Sequence, residues 1–309
     1  MTYRGYIREI RRFTTSDGRG IRTIMYTLGC NLRCAWCSSP LTWQCGRQIF
    51  RNPEICNHCA RCVSSCPNNR YYLKEKLVHT DSTKKCDLCL KCVYTCPKHA
   101  ITLVGRSITC SEALDILLRD RFFYEETGGG VTISGGEPLC QFDFVAGIVK
   151  GLLENSIPVS IETNLSCEWE SLSKLALPGV CFHADLKHMN PDTHRILTGR
   201  DNSLIHDNMR KLKTSPADLR IGFPCIPGVN DSVDNISRMI SFLQELRICE
   251  VYIFPLHKLG LIEYNGIGFY EMADRINRYP LCSKELLIRI AQQFTQAGIR
   301  PEIEGMNIS

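Results

Sequence analysis

The spacing of the cysteines constrains this chain more than any other feature of its sequence. Nineteen of the 309 residues are cysteine, and eleven of these fall into three short motifs. The first motif has the spacing C-x3-C-x2-C, and the other two have the spacing C-x2-C-x2-C-x3-C followed by proline. The members are Cys30, Cys34 and Cys37; Cys56, Cys59, Cys62 and Cys66; and Cys86, Cys89, Cys92 and Cys96. The chain is too long for a disulfide scaffold, so clustered cysteines indicate metal or redox chemistry in a reducing compartment.

The two longer motifs repeat with a period of 30 residues and match the two-cluster signature of bacterial ferredoxins. Their short spacers aim three thiolates at one cubane, and the fourth cysteine crosses to the other. We therefore predict two auxiliary [4Fe–4S] clusters. One is held by Cys56, Cys59, Cys62 and Cys96, and the other by Cys86, Cys89, Cys92 and Cys66. Structural zinc is the alternative, because C-x2-C also binds zinc, but two identical runs that end in proline argue against it.

The three-cysteine motif predicts a different kind of site. Three thiolates leave one iron of a cubane without a protein ligand, and an open coordination position is typical of a catalytic metal centre. The preceding segment, residues 21–28, has the apolar pattern of a buried strand. The motif therefore lies on a loop at the carboxyl end of a strand, where α/β barrels keep their sites.

Four segments stand out in the sequence: SDGRGIR (16–22), GCNLRCAWC (29–37), GGGVTISGGEP (128–138) and ADLK (184–187). Together they resemble the radical S-adenosylmethionine (SAM) superfamily, and within it the activating enzymes of glycyl radical enzymes of the pyruvate formate-lyase activase type. The resemblance implies an α/β fold, a partial (β/α)6 radical SAM barrel with an inserted ferredoxin-like domain. It also implies three [4Fe–4S] clusters and SAM as cofactors.

The same resemblance implies a reaction. SAM chelates the open iron, one electron cleaves its sulfonium, and the 5′-deoxyadenosyl radical removes a hydrogen atom from a glycine Cα of a partner enzyme. The expected partners are a glycyl radical enzyme as protein substrate and flavodoxin or ferredoxin as electron donor. For the two auxiliary clusters, an electron relay towards SAM and a bracing or docking role both stay open.

The resemblance also implies contacts for individual residues. The loop of Gly135, Gly136 and Glu137 receives the SAM amino group, and Lys187 offers a cation for the SAM carboxylate. Asp17 lines the glycyl loop of the partner. The other residues expected at SAM or at a monovalent cation beside it are Trp36, Glu162, Asp185, Arg220 and His257.

Several positions depart from the family pattern. Glu162 precedes Thr163 where the pattern has an Asp-Thr pair that helps to hold a monovalent cation. Gly222 stands where some members have an arginine, and Arg220 lies two residues earlier on the same strand face. Arg19 replaces a proline in the first of the four segments, so partner recognition is expected to differ from that of pyruvate formate-lyase.

Strand and helix patterns alternate after the cysteine-rich region, which predicts a parallel sheet. Strands are expected near 22–28, 131–134, 158–163, 180–186, 219–225 and 250–255. Helices are expected near 111–123 (capped by Ser111), 141–155, 168–175, 203–213, 232–246 and 283–297. The predicted domains are 1–46 and 105–309, which share the barrel, and 47–104, which is ferredoxin-like.

Composition excludes several other classes of protein. A net charge of +5 with scattered basic residues gives no reason to expect nucleic-acid binding. No run of 18 apolar residues and no secretory h-region occur, which predicts no membrane span and a cytoplasmic location. We expect a monomer. The eight cysteines outside the motifs are expected to be buried small hydrophobes, with Cys45 the exception to watch.

Two alternative functions stay open at this point. One is another radical SAM enzyme that modifies a peptide and carries auxiliary clusters. The other is a non-catalytic electron carrier of the ferredoxin type, although its two-cluster unit would span only residues 56–96.

Overall fold

The computed structural model describes residues 3–15 and 18–306. Its strands are β1 (Arg4–Thr14), β2 (Arg22–Thr27), β3 (Gln48–Arg51), β4 (Tyr71–Lys74), β5 (Leu77–Thr80), β6 (Ile101–Val104), β7 (Arg106–Thr109), β8 (Gly130–Gly135), β9 (Val159–Thr163), β10 (Val180–Asp185), β11 (Asp218–Cys225), β12 (Glu250–Pro255) and β13 (Arg300–Ile303). Its α-helices are α1 (Arg61–Ser65), α2 (Lys91–Thr95), α3 (Cys110–Leu117), α4 (Arg121–Thr127), α5 (Phe142–Glu154), α6 (Trp169–Ser173), α7 (Pro191–Thr198), α8 (Ser203–Lys213), α9 (Val233–Glu245), α10 (Leu261–Ile267), α11 (Tyr270–Arg278) and α12 (Lys284–Gln296). Short 3-10 turns cover Pro40–Thr42, Leu118–Asp120 and Pro138–Gln141.

One large sheet organises the body of the molecule. In the part of the chain that the structure describes, nine strands form it in the order β13-β12-β11-β10-β9-β8-β2-β1-β7. Strand β2 and the six strands from β8 to β13 run parallel to one another. Strand β1 pairs antiparallel with both β2 and β7. The strands are rich in buried Val and Ile because helices cover a parallel sheet. The predicted partial (β/α)6 barrel with its ferredoxin-like insertion is confirmed.

The long helices carry the caps and buried faces that their sequences predict. Ser232 caps α9 by accepting a hydrogen bond from the Asn235 N–H, and Ser283 caps α12 in the same way from Leu286. The buried faces of α5, α9 and α12 join the core cluster against the sheet. Within the described residues, no helix is long and apolar enough to cross a membrane.

The predicted helix over 111–123 is wrong as a single helix. The α3 helix begins at Cys110 with Thr109 as its N-cap, because Thr109 and Glu112 form a capping box. The helix ends at Leu117, and α4 begins only at Arg121. The break follows from Asp120, which is buried and accepts hydrogen bonds from Arg12 and Thr23 of the neighbouring strands.

Residues 48–104, from β3 to β6, form what we call the insert. The β3 and β6 strands pair antiparallel, and β4 with β5 makes a hairpin between them. The α1 and α2 helices follow residues with left-handed backbone at matching positions, Ala60 and Leu90, both with φ of 61°. The sequence repeat is thus a repeat of backbone conformation. The domain boundaries at 47 and 104 stay a prediction.

Candidate active site

The carboxyl ends of the strands surround a cavity of about 510 Å³. Ten of the residues predicted from the sequence line it: Cys30, Cys34, Cys37, Trp36, Gly135, Gly136, Glu162, Asp185, Lys187 and Arg220. His257 lines it too, as an exposed side chain at the rim. Sequence reasoning missed other lining residues, among them Tyr26, Trp43, Asn164, His183 and Tyr252. Parallel pairing brings these side chains together because it aligns the same ends of successive strands.

Backbone hydrogen bonds hold the three-cysteine loop. The Gly29 N–H donates to the Thr42 carbonyl at 2.7 Å, and the Ala35 N–H donates to the Leu197 carbonyl at 2.8 Å. Burial raises the pKa of the Cys34 thiol to about 12 and that of Cys37 to about 11. The free thiols are therefore protonated at neutral pH, and binding of iron there would release protons.

The donors at this loop fit an iron–sulfur cluster better than a single ion. Three soft thiol ligands face one cavity, which is the donor chemistry that iron–sulfur clusters take. Across the described ranges, no three or more His, Cys, Asp or Glu side chains form a group that could hold a single metal ion. A cubane spreads its thiolate ligands over several irons and needs no such close group.

Two glycines bring the β8 loop against the cysteine loop. Gly135 has φ of 117°, and a Cβ atom there would lie 2.3 Å from the Thr27 carbonyl oxygen. A Cβ atom on Gly136 would lie 2.3 Å from the Gly29 carbonyl oxygen and 2.7 Å from that of Thr42. Only glycine fits at either position, so the backbone of this loop forms the cavity wall directly.

Glu137 is not among the residues that line the cavity. Its side chain is 2% exposed and lies behind the wall. Its carboxylate accepts hydrogen bonds from the Leu139 N–H at 3.0 Å, the Thr163 hydroxyl at 2.8 Å and the Asn164 N–H at 2.7 Å. Burial raises its pKa, while the Asn164 and Leu139 N–H groups act in the opposite direction. Glu137 therefore fastens the β8 loop to the end of β9.

Lys187 and Asp185 form an ion pair at the cavity. Lys187 Nζ lies 2.6 Å from Asp185 Oδ2, and the lysine side chain is 11% exposed. Burial alone would lower the pKa of Lys187, but the negative charge of Asp185 raises it overall. Lys187 therefore stays a cation inside the cavity and can neutralise a bound carboxylate.

Glu162, His183 and Arg220 lie side by side on three neighbouring strands. The register pairs Glu162 with His183, and His183 with Arg220. Glu162 accepts a hydrogen bond from the Ser134 hydroxyl. The Nε2 atom of His183 is buried without a partner among the described residues. Burial, together with the charge of Arg220, lowers the pKa of His183 to about 4, so this ring is neutral at neutral pH.

A second cavity of about 530 Å³ continues from this row of side chains. It shares Glu162, His183 and Arg220 with the first cavity and reaches Gly18 and Arg19 at its other end. Asp17, predicted to line the glycyl loop of a partner, lies outside the described residues.

Gly222 gives a physical reason for one departure from the family pattern. A Cβ atom there would lie 2.5 Å from Asp185 Oδ1 and 2.8 Å from Phe254 Cε2. No larger side chain fits beside this aspartate. Arg220 lines the cavity from the same strand, with its guanidinium 6.0 Å from the centre of the Tyr252 ring.

Within the insert, one complete set of predicted ligands lies together, and three cysteines of the other set lie near one another. One small cavity is lined by all four predicted ligands of one auxiliary cluster, Cys66, Cys86, Cys89 and Cys92. In the other group, burial raises the pKa of Cys62 to about 11, and the nearby Cys56 thiol adds to this. At matching positions of the repeat, the Arg70 N–H donates to Cys66 Sγ at 3.4 Å and the Ala100 N–H donates to Cys96 Sγ at 3.3 Å. Thiol groups with backbone donors suit cubanes on both sides.

The eight cysteines outside the motifs are not all buried. Cys110 and Cys225 are buried, as expected. Cys140 and Cys249 are exposed, so the expectation is wrong for them, and Cys45, set apart as the exception, is exposed as well. Cys45 and Cys249 lie outside the regular elements, where a short side chain does not reach the core, and Cys140 lies in a 3-10 turn.

Comparison with known proteins gives two family matches and several long relatives. The radical SAM superfamily profile matches residues 82–240, and the 4Fe-4S dicluster domain profile matches residues 48–97. The trans-4-hydroxy-L-proline dehydratase activating enzyme of Clostridioides difficile is 34% identical over 300 residues, 96% of this chain and 98% of its own. The (2S)-3-sulfopropanediol dehydratase activating enzyme of Klebsiella oxytoca is 33% identical over 305 residues, 96% of this chain and 95% of its own.

A third relative and one solved structure extend the comparison. The choline trimethylamine-lyase activating enzyme of Oleidesulfovibrio alaskensis is 33% identical over 267 residues, 84% of this chain and 86% of its own. Streptococcus suis SuiB, solved with the precursor peptide SuiA, superposes with a TM-score of 0.55 at 14% identity. That superposition covers 92% of this chain and 48% of SuiB, and it shows similarity of fold alone.

Proposed function

Because this chain belongs to the radical SAM superfamily, and within it to the activating enzymes of glycyl radical enzymes, we propose roles for the residues around its cavity. The chain is an oxidoreductase that activates a partner glycyl radical enzyme. The relatives favour this activity over a peptide-modifying enzyme and over a non-catalytic electron carrier. The observation that carries the proposal is the single cavity lined by Cys30, Cys34 and Cys37 together with Lys187.

Cys30, Cys34 and Cys37 would hold a [4Fe–4S] cluster and leave one iron open towards the cavity. When bound, this cluster would supply the single electron for reductive cleavage of the SAM sulfonium, the chemistry that removes a hydrogen atom from a glycine of the partner. The residues of the chain orient SAM for this event and exclude water. Trp36 contributes to that exclusion, since it is 8% exposed and packs against Ile226 and Leu256 at the cavity.

Lys187 binds the carboxylate of SAM. Asp185 holds the ammonium group of Lys187 in place, with 2.6 Å between Lys187 Nζ and Asp185 Oδ2. The backbone of Gly135 and Gly136 receives the SAM amino group, because these residues leave no side chain in the way. Arg220 and His257 contact SAM from the remaining sides of the cavity.

A monovalent cation beside SAM stays a prediction, and the hydrogen bonds of Glu162 and Thr163 argue against it. Glu162 accepts a hydrogen bond from Ser134, and the Thr163 hydroxyl oxygen accepts one from the Leu165 N–H at 3.0 Å. Both groups that the family pattern turns towards a cation therefore already have partners.

The decisive experiment is activation of a partner in vitro. The protein is reconstituted anaerobically with iron and sulfide, reduced, and mixed with SAM and a candidate glycyl radical enzyme. We expect 5′-deoxyadenosine and an electron paramagnetic resonance (EPR) doublet from a glycyl radical. Cleavage of SAM without the doublet, for every partner encoded beside the gene, would contradict activation.

A lysine pair tests the SAM site itself. In Lys187→Met the buried cation is lost, and we expect SAM to bind at least about 30-fold more weakly, equivalent to about 2 kcal/mol. Lys211→Met is the matched control, because Lys211 lies on α8 against the Trp169 ring, with Nζ 5.5 Å from the ring centre. Equal SAM affinity in the two variants would refute the assignment of Lys187.

We infer further that the insert holds two more [4Fe–4S] clusters, so that the chain carries three, and that these relay electrons from flavodoxin or ferredoxin. The α10 helix, which contacts both the insert and the cysteine loop region, supports this role. Cys59→Ala and Cys89→Ala should slow SAM cleavage driven by a reduced protein donor. If neither variant slows SAM cleavage, the clusters brace the insert or form a docking surface and do not relay electrons. A cytoplasmic location and a monomer stay predictions.

A further inference from the structure

The short helix α10 is clamped between the insert and the cysteine loop region. On the insert side, the Thr80 hydroxyl donates to the Gly266 carbonyl at 3.0 Å. On the other side, Glu263 accepts a hydrogen bond from the Leu41 N–H at 3.2 Å, and Arg8 Nη1 lies 2.7 Å from Glu263 Oε1. The position of α10 is thus fixed from two directions.

Tyr264, in the middle of α10, has a buried hydroxyl with an unfilled bonding capacity. The residue is 0% exposed, and its hydroxyl has no hydrogen-bond partner among the residues described. Its ring packs edge-on against Trp43 with 5.6 Å between centres, in a cluster that also includes Cys37. Buried tyrosine hydroxyls nearly always find a partner, so an orphan at a ligand site indicates a group that binds there.

The packing identifies that group as the Cys37 sulfur. Cys37 packs against the cluster formed by Tyr264 and Trp43, and its side chain lies near both. A tyrosine hydroxyl and an indole N–H are both hydrogen-bond donors at neutral pH. Two aromatic donors thus lie beside one sulfur.

We propose that Tyr264 donates its hydroxyl hydrogen bond to the thiolate of Cys37 in the bound cluster and thereby makes that cluster easier to reduce. Reduction adds negative charge to the cluster, and a hydrogen bond to a ligand sulfur favours the more negative form. Tyr264 thus acts on the reduction potential of the cluster through the Cys37 sulfur, and is not itself a catalytic residue. The inference rests on the cluster site proposed for Cys30, Cys34 and Cys37. It also links the insert to that site, because α10 carries Tyr264 and contacts the insert.

The test is the midpoint potential of the SAM-binding cluster in the reconstituted holoenzyme. The signal of this cluster is identified by its change when SAM is added, since SAM binds its open iron. In Tyr264→Phe we expect a more negative potential than in the wild type, and in the double variant with Trp43→Phe a still more negative one. The control is Tyr124→Phe, which removes an equally buried hydroxyl that donates to the Leu117 carbonyl at 2.9 Å.

The control should keep the wild-type potential and lose only stability. An unchanged potential in Tyr264→Phe would overturn the inference, as would an equal shift in Tyr124→Phe. These failures leave the proposed function standing, because the SAM-responsive signal itself remains. Wild-type protein that loads iron but shows no SAM-responsive signal would instead refute the proposed cluster site, and the inference with it.

Discussion

A single carboxylate, that of Glu137, joins two elements of the site. Its three accepted hydrogen bonds come from its own turn and from the end of β9, at Thr163 and Asn164. Buried N–H groups that lose an acceptor are costly because nothing else solvates them. At the proposed SAM site, Glu137 would therefore act through the backbone that it holds and not by contact.

Replacing this carboxylate with an amide tests that role. In Glu137→Gln one amide N–H2 group must face N–H or O–H donors, so we expect a loss of about 1–3 kcal/mol in the free energy of unfolding. We also expect SAM to bind roughly 10-fold more weakly, because the β8 loop shifts. Denaturant unfolding and SAM titration measure the two effects. Glu112→Gln is the control, since Glu112 caps α3 at the surface. SAM affinity as low in the control as in Glu137→Gln would disprove the role.

At the level of residues, the sequence predicts the ligand residues well, but it predicts poorly the residues that hold the site in place. Thiol spacing is local along the chain, so the cysteines that line the cavity could be predicted from their spacing alone. The sequence does not predict His183 as a site residue, because it joins the site only through its neighbours on two other strands, Glu162 and Arg220. The place of Glu137 behind the wall depends on donors 26 and 27 residues away, which no motif records.

Among the elements, α10 depends most on contacts outside itself. It has only seven residues, too few for a stable isolated helix, and residues of the insert meet it closely. A Cβ atom on Gly266 would lie 2.2 Å from Phe50 Cε2 and 2.4 Å from the Arg51 carbonyl oxygen. No periodic apolar pattern predicts such a helix, and none was expected over residues 261–278. The long helices over 142–154 and 284–296 were predictable because their apolar faces are their own, and Ser283 caps the second.

Gly266→Ala should loosen the insert from α10. Alanine ordinarily stabilises a helix relative to glycine by roughly 0.5–1 kcal/mol, so a destabilising result must come from the clash with Phe50 and Arg51. We expect faster amide hydrogen exchange in β3 and β5. The control is Gly199→Ala, which strains a left-handed residue (φ 88°) with nothing within 4 Å of the added Cβ. Wild-type exchange rates in β3 and β5 of Gly266→Ala would contradict the clamp.

For the whole molecule, a half-buried histidine that stays neutral predicts a stability that falls in mild acid. His206 of α8 packs against α9, with its ring 4.6 Å from that of Phe242. Burial, together with the charge of Arg210, lowers the pKa of His206 to about 4. The unfolded chain gains this proton near pH 6.5 and the folded chain only near pH 4, so stability is lost as the pH falls between these values.

The variant His206→Gln should lose less stability over that interval. The free energy of unfolding is measured from about pH 7.5 down to about 4.5 for variant and wild type side by side, so that acid loss of clusters affects both. We expect a shallower decline in the variant between about pH 6.5 and 4.5, and parallel curves above about pH 7. Parallel curves over the whole range would show that His206 is not held neutral.

The crossed cysteines of the insert bear on how the protein is made. Cys66 ends the first half of the repeat but faces the cavity of the second half, with Cys86, Cys89 and Cys92. On the proposed ligand sets, each cubane needs a thiolate from both halves, so neither half can mature alone. Binding of either cubane should therefore hold both halves of the insert together and favour binding of the second. Partly loaded preparations would then contain fewer molecules with a single cubane than independent loading would give.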